Sequence, residues 1–257
     1  MRGLILSFPK MEIKLNPHER LDDLVLDGMK VIQRDDQFCF SIDTVLLAHF
    51  NDVPRGSVLD LGTGTAAIPL ILTARGAVSL TGIELNPVMA DIARRNVSLN
   101  HREDRIRIVE DDYCHLRQWV KSGEFSVVYA NPPYREKGRG AESDETGIRR
   151  ARHEETATLQ DVMEAAAYAL KYHGRFRMVH ITERLTDILV AMRSHDIEPK
   201  TLQMIHGRLD KPAKIFLIEG IRGGNTSLEV KPPLIVHHED GRYTDDILKM
   251  YGKISDR

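Results

Sequence analysis

Between residues 57 and 84 the chain runs through a short apolar segment, SVLDL, a turn with two glycines, an apolar stretch, and a second extended run, AVSLTGIE, that closes on an acid. Short continuous apolar runs bounded by turn signals suit strands buried on both faces, and an intervening helix is the connection that lets two such strands lie parallel. The alternation continues to about residue 220. Strands are predicted at 57–61, 77–84, 106–109, 125–130 and 174–181, and near 199–206 and 213–219. Helices are predicted at 66–75, from Pro87 through MADIARRNVSLN, at 158–171 and at 183–194. Pro87 costs nothing at a helix start, where its missing N–H has no intrahelical partner. This order predicts an α/β fold, a mostly parallel central sheet with helices on both faces.

The first fifty residues read differently. A charged helix-like segment precedes VIQRDDQFCFSIDTVLLAHF, whose second half reads as a helix entering the main domain. The expected division is an N-terminal extension and cap over 1–50 and one main domain over 51–257. The opening RGLILSFPK is broken by Pro9-Lys10 too early for a secretory signal, and Met11 reads as a second start, so residues 1–10 are expected to be an upstream extension. Beyond residue 219, IRGGNTSLEV supplies turn residues, Pro232-Pro233 precedes a short LIV strand, and TDDILKMYGK closes with a helical turn or two.

Composition removes several classes. The 36 Lys and Arg against 38 Asp and Glu leave a net charge of −2, which argues against indiscriminate nucleic-acid coating while allowing a local basic patch. No run approaches the ~18 apolar residues of a membrane span. The two cysteines, Cys39 and Cys114, exclude a disulfide framework and fit a reducing, cytoplasmic setting. The 11 histidines show no ligand spacing, and His237-His238 lacks partners at metal-site intervals, so no metal is predicted. Cys39 reads as a small buried hydrophobe, and Trp119 as a packing residue on a helix.

The turn after the first main strand is Asp60-Leu61-Gly62-Thr63-Gly64-Thr65-Ala66-Ala67. Its Gly62-x-Gly64-x-x-Ala67 spacing matches a nucleotide-binding turn, in which glycine permits close approach to a ligand. Glu84 stands 20 residues beyond Gly64, placed to accept from both hydroxyls of an unphosphorylated ribose. A nicotinamide dinucleotide or S-adenosylmethionine satisfies this much. Three details favour the second. Asp60 would face a pyrophosphate unfavourably but suits a cationic amino-acid group. Asp112, just past the third strand, can accept from an adenine amino group. The third detail is Asn131-Pro132-Pro133-Tyr134, at the carboxyl edge of a buried strand, where open α/β sheets bind ligands.

That tetrapeptide suits a planar amino nitrogen whose lone pair is delocalised. The Asn131 side-chain oxygen and the Pro132 carbonyl are two acceptors for its hydrogens, the prolines fix φ, and Tyr134 offers a flat face for stacking. Positive charge disappears from the cofactor as a methyl moves to nitrogen, so no strong base is required.

DLGTGTAAIPL, GIELNPVMADIARRNV, Asp111-Asp112 and ANPPY together resemble the class I S-adenosylmethionine-dependent methyltransferases of planar amino nitrogens, with their Rossmann-like fold. QRDDQFCFSIDTVLLAHF, ARHEE and the tail GGNTSLEVKPPLIVHHEDGRYTDDILKMYG are similar to the bacterial adenine-N6 methyltransferases of the valine-tRNA anticodon loop, over nearly the whole chain from residue 19. The resemblance implies that Asp60, Gly62, Gly64, Thr65, Glu84, Asp112 and Asn131 hold the cofactor, that Phe40, Ser41 and Asp43 cover it, and that Asn131, Pro132, Pro133 and Tyr134 receive the base. Phe38-Cys39 stands where that family usually has a glycine before the aromatic residue.

A loop adenine needs little extrusion and is read by stacking and edge contacts. Residues 134–153 carry six basic side chains, Arg135, Lys137, Arg139, Arg149, Arg150 and Arg152, against four acidic, and 200–224 carry five against two. The first segment is expected to be a lid ordered by RNA and mobile without it, with Arg152-His153-Glu154 as an ion-pair cluster opening the next helix. The rival readings are a protein glutamine methyltransferase, which usually carries a helical domain ahead of the glycine loop, a DNA adenine methyltransferase with a larger recognition domain, and a catalytically silent RNA-binding protein, which has no need of the Asn131 quartet.

Overall fold

The computed structural model describes residues 14–24, 26–37, 39–134 and 158–254. Residues 1–10, and the basic segment expected to act as a lid, lie outside the described residues.

The main sheet has nine strands. β3 (Ser57–Leu61), β4 (Ser79–Glu84) and β5 (Ile106–Glu110) step outward in one direction, and β6 (Phe125–Ala130) and β7 (Leu170–Ile181) lie on the other side of β3. All five are parallel. β9 (Ala213–Arg222) is antiparallel to both β7 and β8 (Ile197–His206), and the short β10 (Glu229–Val230) and β11 (Leu234–Ile235) flank β8 in parallel. The strand order reverses between β3 and β6, which opens a crevice at their carboxyl ends, the binding position of open α/β sheets.

Helices cover both faces, as expected. α1 (Ile42–His49), α2 (Ala67–Ala74), α3 (Pro87–Leu99) and α6 (Asp245–Met250) contribute Leu46, Leu70, Val97 and Ile247 to one apolar layer. α4 (Leu159–Ala169) and α5 (Leu185–Ser194) contribute Met163 and Ile188 to the other. Thr158 caps α4 in a reciprocal capping box with Asp161. α4 ends two residues sooner than expected, and β7 begins four sooner. Behind β6 a buried polar group is fully engaged: Arg177 donates to Glu219 at 2.6 Å, to the Tyr129 hydroxyl at 2.7 Å and to the Asp52 carbonyl at 2.8 Å. Burial pushes the Glu219 carboxyl up, but the charge and hydrogen bond of Arg177, with help from Asn51 and Arg175, together hold the group below the usual range.

The charged segment expected to be helix-like is instead a β-hairpin. β1 (Glu19–Asp23) pairs antiparallel with β2 (Lys30–Arg34). Asp27 and Gly28 both take positive φ, 52° and 67°, and Met29 N–H closes the turn on the Leu26 carbonyl. Two left-handed central residues make the primed turn that matches strand twist, and Asp-Gly is its signal. The outer edge of β2 bonds to side chains of α3. Asn96 accepts from Ile32 N–H at 2.6 Å and donates to the Ile32 carbonyl at 3.0 Å, and Asn100 does the same at Lys30 at 3.0 and 2.7 Å. Each amide mimics one rung of a neighbouring strand. Arg95 forks onto Glu19 at 2.7 and 2.8 Å and holds its carboxyl down at about 2.

Candidate active site

β3 delivers Asp60 to the crevice, and its chain then turns through Gly62 and Gly64 at φ of 69° and 57° into α2. Ala66, the N-cap of α2, is also left-handed at 61° and gives no side-chain cap, so the first N–H groups of that helix keep their capacity to bind an anionic group. The loop lies close on β4. A Cβ at Gly82 would meet the Thr63 side chain at 2.7–2.8 Å, so this glycine is required by close packing.

Asp60 is 1% exposed. Its Oδ2 accepts from the Thr63 hydroxyl at 2.7 Å, while Oδ1 is buried without a partner among the described residues. Burial, with the Glu84 charge adding, raises the carboxyl to about 7 against the Thr63 hydrogen bond. A cationic group in the crevice would meet this orphaned acceptor. Glu84 Oε2 accepts from Gly64 N–H at 2.8 Å and Oε1 from Asn86 N–H at 2.9 Å, which fixes the carboxylate and leaves further lone pairs for a diol. Burial raises this carboxyl too, and the backbone N–H donors of Asn86, Gly64 and Leu85 oppose it. Asp112 stands past β5 and caps a 3₁₀ turn over Tyr113–Gln118 by accepting from Cys114 N–H at 2.8 Å.

The hairpin reaches this pocket through amides. The Asn86 side chain donates to Gln37 at 3.2 Å, and buried Gln33 accepts from Phe40 N–H at 2.8 Å. Ser41 caps α1 by accepting from Asp43 N–H at 3.3 Å. Cys39 is half-buried, not core: its Sγ donates to the Arg34 carbonyl at 3.2 Å and meets Arg20 at 3.5 Å. Trp119 ends the 3₁₀ turn and packs on the α4 layer.

β6 delivers the tetrapeptide beside β3. The Asn131 amide nitrogen donates to the Thr44 hydroxyl at 3.3 Å, which leaves Oδ1 as the acceptor for a substrate. Asn131, Pro132 and Tyr134 are half-buried and Pro133 is exposed. The Tyr134 hydroxyl donates to Asp43, and burial together with that carboxylate raises the phenol well above its ordinary range. Its ring lies 5.2 Å from that of His180, at the end of β7. Asp60, Gly62, Gly64, Glu84 and Asn131 thus converge on one crevice, whereas Asp43 engages Tyr134. Arg135, Lys137, Arg139, Arg149, Arg150 and Arg152 lie outside the described residues, as does Arg152-His153-Glu154. Sequence reasoning missed Thr44 and His180. Thr44 lies within QRDDQFCFSIDTVLLAHF, directly after Asp43, and His180 carries no local signal.

The fold and this edge define a Rossmann-like class I methyltransferase. The methyltransferase small domain family matches residues 41–191, more than half of the chain, and the protein belongs to that family. Among relatives, the tRNA1(Val) (adenine(37)-N6)-methyltransferase of Porphyromonas gingivalis is 29% identical over 219 residues, covering 81% of this chain and 85% of that one. The enzyme of the same name from Photobacterium profundum is 25% identical, covering 82% and 88%. In fold, a predicted O-methyltransferase of Agrobacterium tumefaciens superposes with a TM-score of 0.66 at 21% identity, over 82% of this chain and 95% of that one. TYW2 of P. horikoshii in complex with MeSAdo gives 0.57 at 13%, over 81% and 73%.

Proposed function

We propose that this methyltransferase transfers the methyl group of S-adenosylmethionine to the exocyclic N6 amino group of an adenine in the anticodon loop of valine tRNA. The crevice suits that cofactor. Asp60 Oδ1 is a buried acceptor for its ammonium group, the open start of α2 is a donor set for its carboxylate, Glu84 holds a fixed carboxylate for its ribose, and Asp112 stands at the far strand for its adenine. Bound there, the cofactor supplies an electrophilic methyl on a sulfonium.

The chain's own contribution is positioning. Thr44 holds the Asn131 amide so that Oδ1 accepts one amino hydrogen of the base, and the Pro132 carbonyl offers the second acceptor. Two acceptors on the amino group draw its lone pair out of conjugation and aim it at the crevice. Tyr134, anchored by Asp43, gives the ring a face to stack on. The nitrogen's surplus proton leaves by way of Asn131 to water once the new N–C bond has formed.

The observation that carries this reading is the Asn131 side chain fixed at the carboxyl end of β6, next to the glycine loop of β3. The relatives' activity favours adenine over a protein amide, whose planar nitrogen the tetrapeptide's acceptor pair would suit equally. Asn131→Ala is expected to lower turnover at least 100-fold, with cofactor affinity changed less than threefold in calorimetry. Retained turnover would refute the role given to Asn131.

A further inference from the structure

The carboxyl edge of the sheet carries an acidic stretch on one side of the Asn131 tetrapeptide and a basic turn on the other, with the exposed carboxylates Glu239, Asp240, Asp245 and Asp246 beyond that turn. On one side, β3, β4 and β5 end in Asp60, Glu84 and the Glu110-Asp111-Asp112 run. On the other, the strand order β6-β7-β9-β8, with β11 beyond, places the turn between β8 and β9 on this same edge, because Ile181 at the end of β7 is level with Ile215 and that with Ile205. The turn is cationic. Arg208 and Lys211 each lie 3.5 Å from one carboxylate, Asp210, and Lys214 follows at the start of β9. Lys214 is exposed and forms no ion pair among the described residues. Exposed pairs of this kind contribute little, so their cations exchange readily onto another anion.

An aromatic surface continues the turn. His237 N–H bonds to the Gly207 carbonyl, and its ring stacks on Tyr243 at 4.9 Å with 22° between planes. Tyr243 is 36% exposed, and Leu209 at the tip of the turn is 78% exposed. With strands about 4.8 Å apart, Lys214 lies about 10 Å and the His237–Tyr243 pair about 19 Å along the edge from the tetrapeptide.

We infer that this half of the edge, Arg208, Lys211 and Lys214 with Tyr243, is the docking surface for the RNA strand flanking the target adenine. The inference rests on the tRNA reading above and adds to it the place where phosphates and a neighbouring base are held. Lysine and arginine at this spacing meet successive phosphates, and the exposed part of the Tyr243 ring, which packs on His237 and Tyr251, gives a base an aromatic contact without reading its identity. Carboxylates lie on both flanks of the basic turn, so the strand is held at Arg208, Lys211 and Lys214 and crosses from there to the tetrapeptide.

The test is steady-state methylation of an unmodified valine-tRNA transcript at several salt concentrations. Arg208→Ala/Lys211→Ala/Lys214→Ala is expected to raise KM for the transcript tenfold or more and to make its dependence on log salt shallower by about two, the loss of roughly three phosphate contacts. Its kcat at saturation and its affinity for S-adenosylmethionine should stay within twofold of wild type. Lys214→Ala alone, at a side chain without an ion pair among the described residues, should raise KM about threefold with no change in melting temperature. Tyr243→Ala should raise KM several-fold at unchanged salt slope. Arg55→Ala, at the opposite edge of the sheet, is the control and should leave all of these unchanged. Wild-type KM and salt slope in both the triple variant and Lys214→Ala would overturn the docking surface. A wild-type protein that binds the cofactor but leaves the transcript unmethylated would overturn the tRNA reading itself, a result judged on wild type alone.

Discussion

Asp43, in the first turn of α1, accepts the hydrogen bond of the Tyr134 hydroxyl across 91 residues of sequence. The segment ahead of β3 therefore fixes an aromatic ring that follows β6. Asp43 is a positioning residue on this geometry, acting through tyrosine. Asp43→Ala and Tyr134→Phe are each expected to lower kcat three- to tenfold, about 0.6–1.4 kcal/mol, within the ~0.5–1.5 kcal/mol net contribution of one intramolecular hydrogen bond. In the Tyr134→Phe background the Asp43→Ala penalty should vanish. A double-mutant cycle on kcat, with cofactor affinity measured in parallel, checks this. A penalty that persists, with weakened cofactor binding, would return Asp43 to the cofactor.

Asp60 links cofactor binding to pH. Burial disfavours the charge and raises its carboxyl to about 7. A cation bound beside it favours the ionised form. Affinity for S-adenosylmethionine should therefore rise as pH climbs from 6 toward 7, with proton release, and then level off. Asp60→Asn should bind more weakly with a flat profile. The stability sign is opposite. The raised folded value makes Asp60's contribution full below about pH 4 and lost as pH rises through about 7. The cofactor-free Asn variant should lack that decline. Calorimetry in two buffers and thermal melts between pH 4 and 8 measure both.

Asn96 holds the hairpin to the main domain. It is fully buried, and besides Ile32 it donates to the Thr65 carbonyl at 3.0 Å, so one amide ties β2 to the glycine loop. Asn96→Ala strands these backbone groups, at about 1–3 kcal/mol for a buried unsatisfied group. Denaturant unfolding should show a loss in that range or somewhat more. Cofactor affinity should fall with it, since the loop loses a support. An unchanged midpoint would count against the clamp.

The parallel strands were legible because burial on both faces writes them as continuous apolar runs, as in SVLDL and FSVVYA. The hairpin was not. ERLDD is mostly solvent-facing, and the hairpin is held by Arg95 on Glu19 of β1 and by Asn96 and Asn100 on Ile32 and Lys30 of β2, 64 to 76 residues on, which no local window contains. Only Asp27-Gly28 carried a local sign of the turn. In the site, Gly62, Gly64 and Glu84 could be placed because strand, turn and acid follow one another in sequence. The Tyr134–Asp43 and Tyr134–His180 contacts are products of strand order, which brings β6 and β7 against the start of α1, and neither residue type announces them.

The most direct measurement is nucleoside analysis of unmodified valine-tRNA transcript after incubation with the purified protein and S-adenosylmethionine, read by mass spectrometry with the modified position mapped. The expected result is N6-methyladenosine at a single anticodon-loop adenine, absent with Asn131→Ala. Methyl transfer to protein with none to RNA, or methylation of RNA at a ring nitrogen or a ribose, would contradict it.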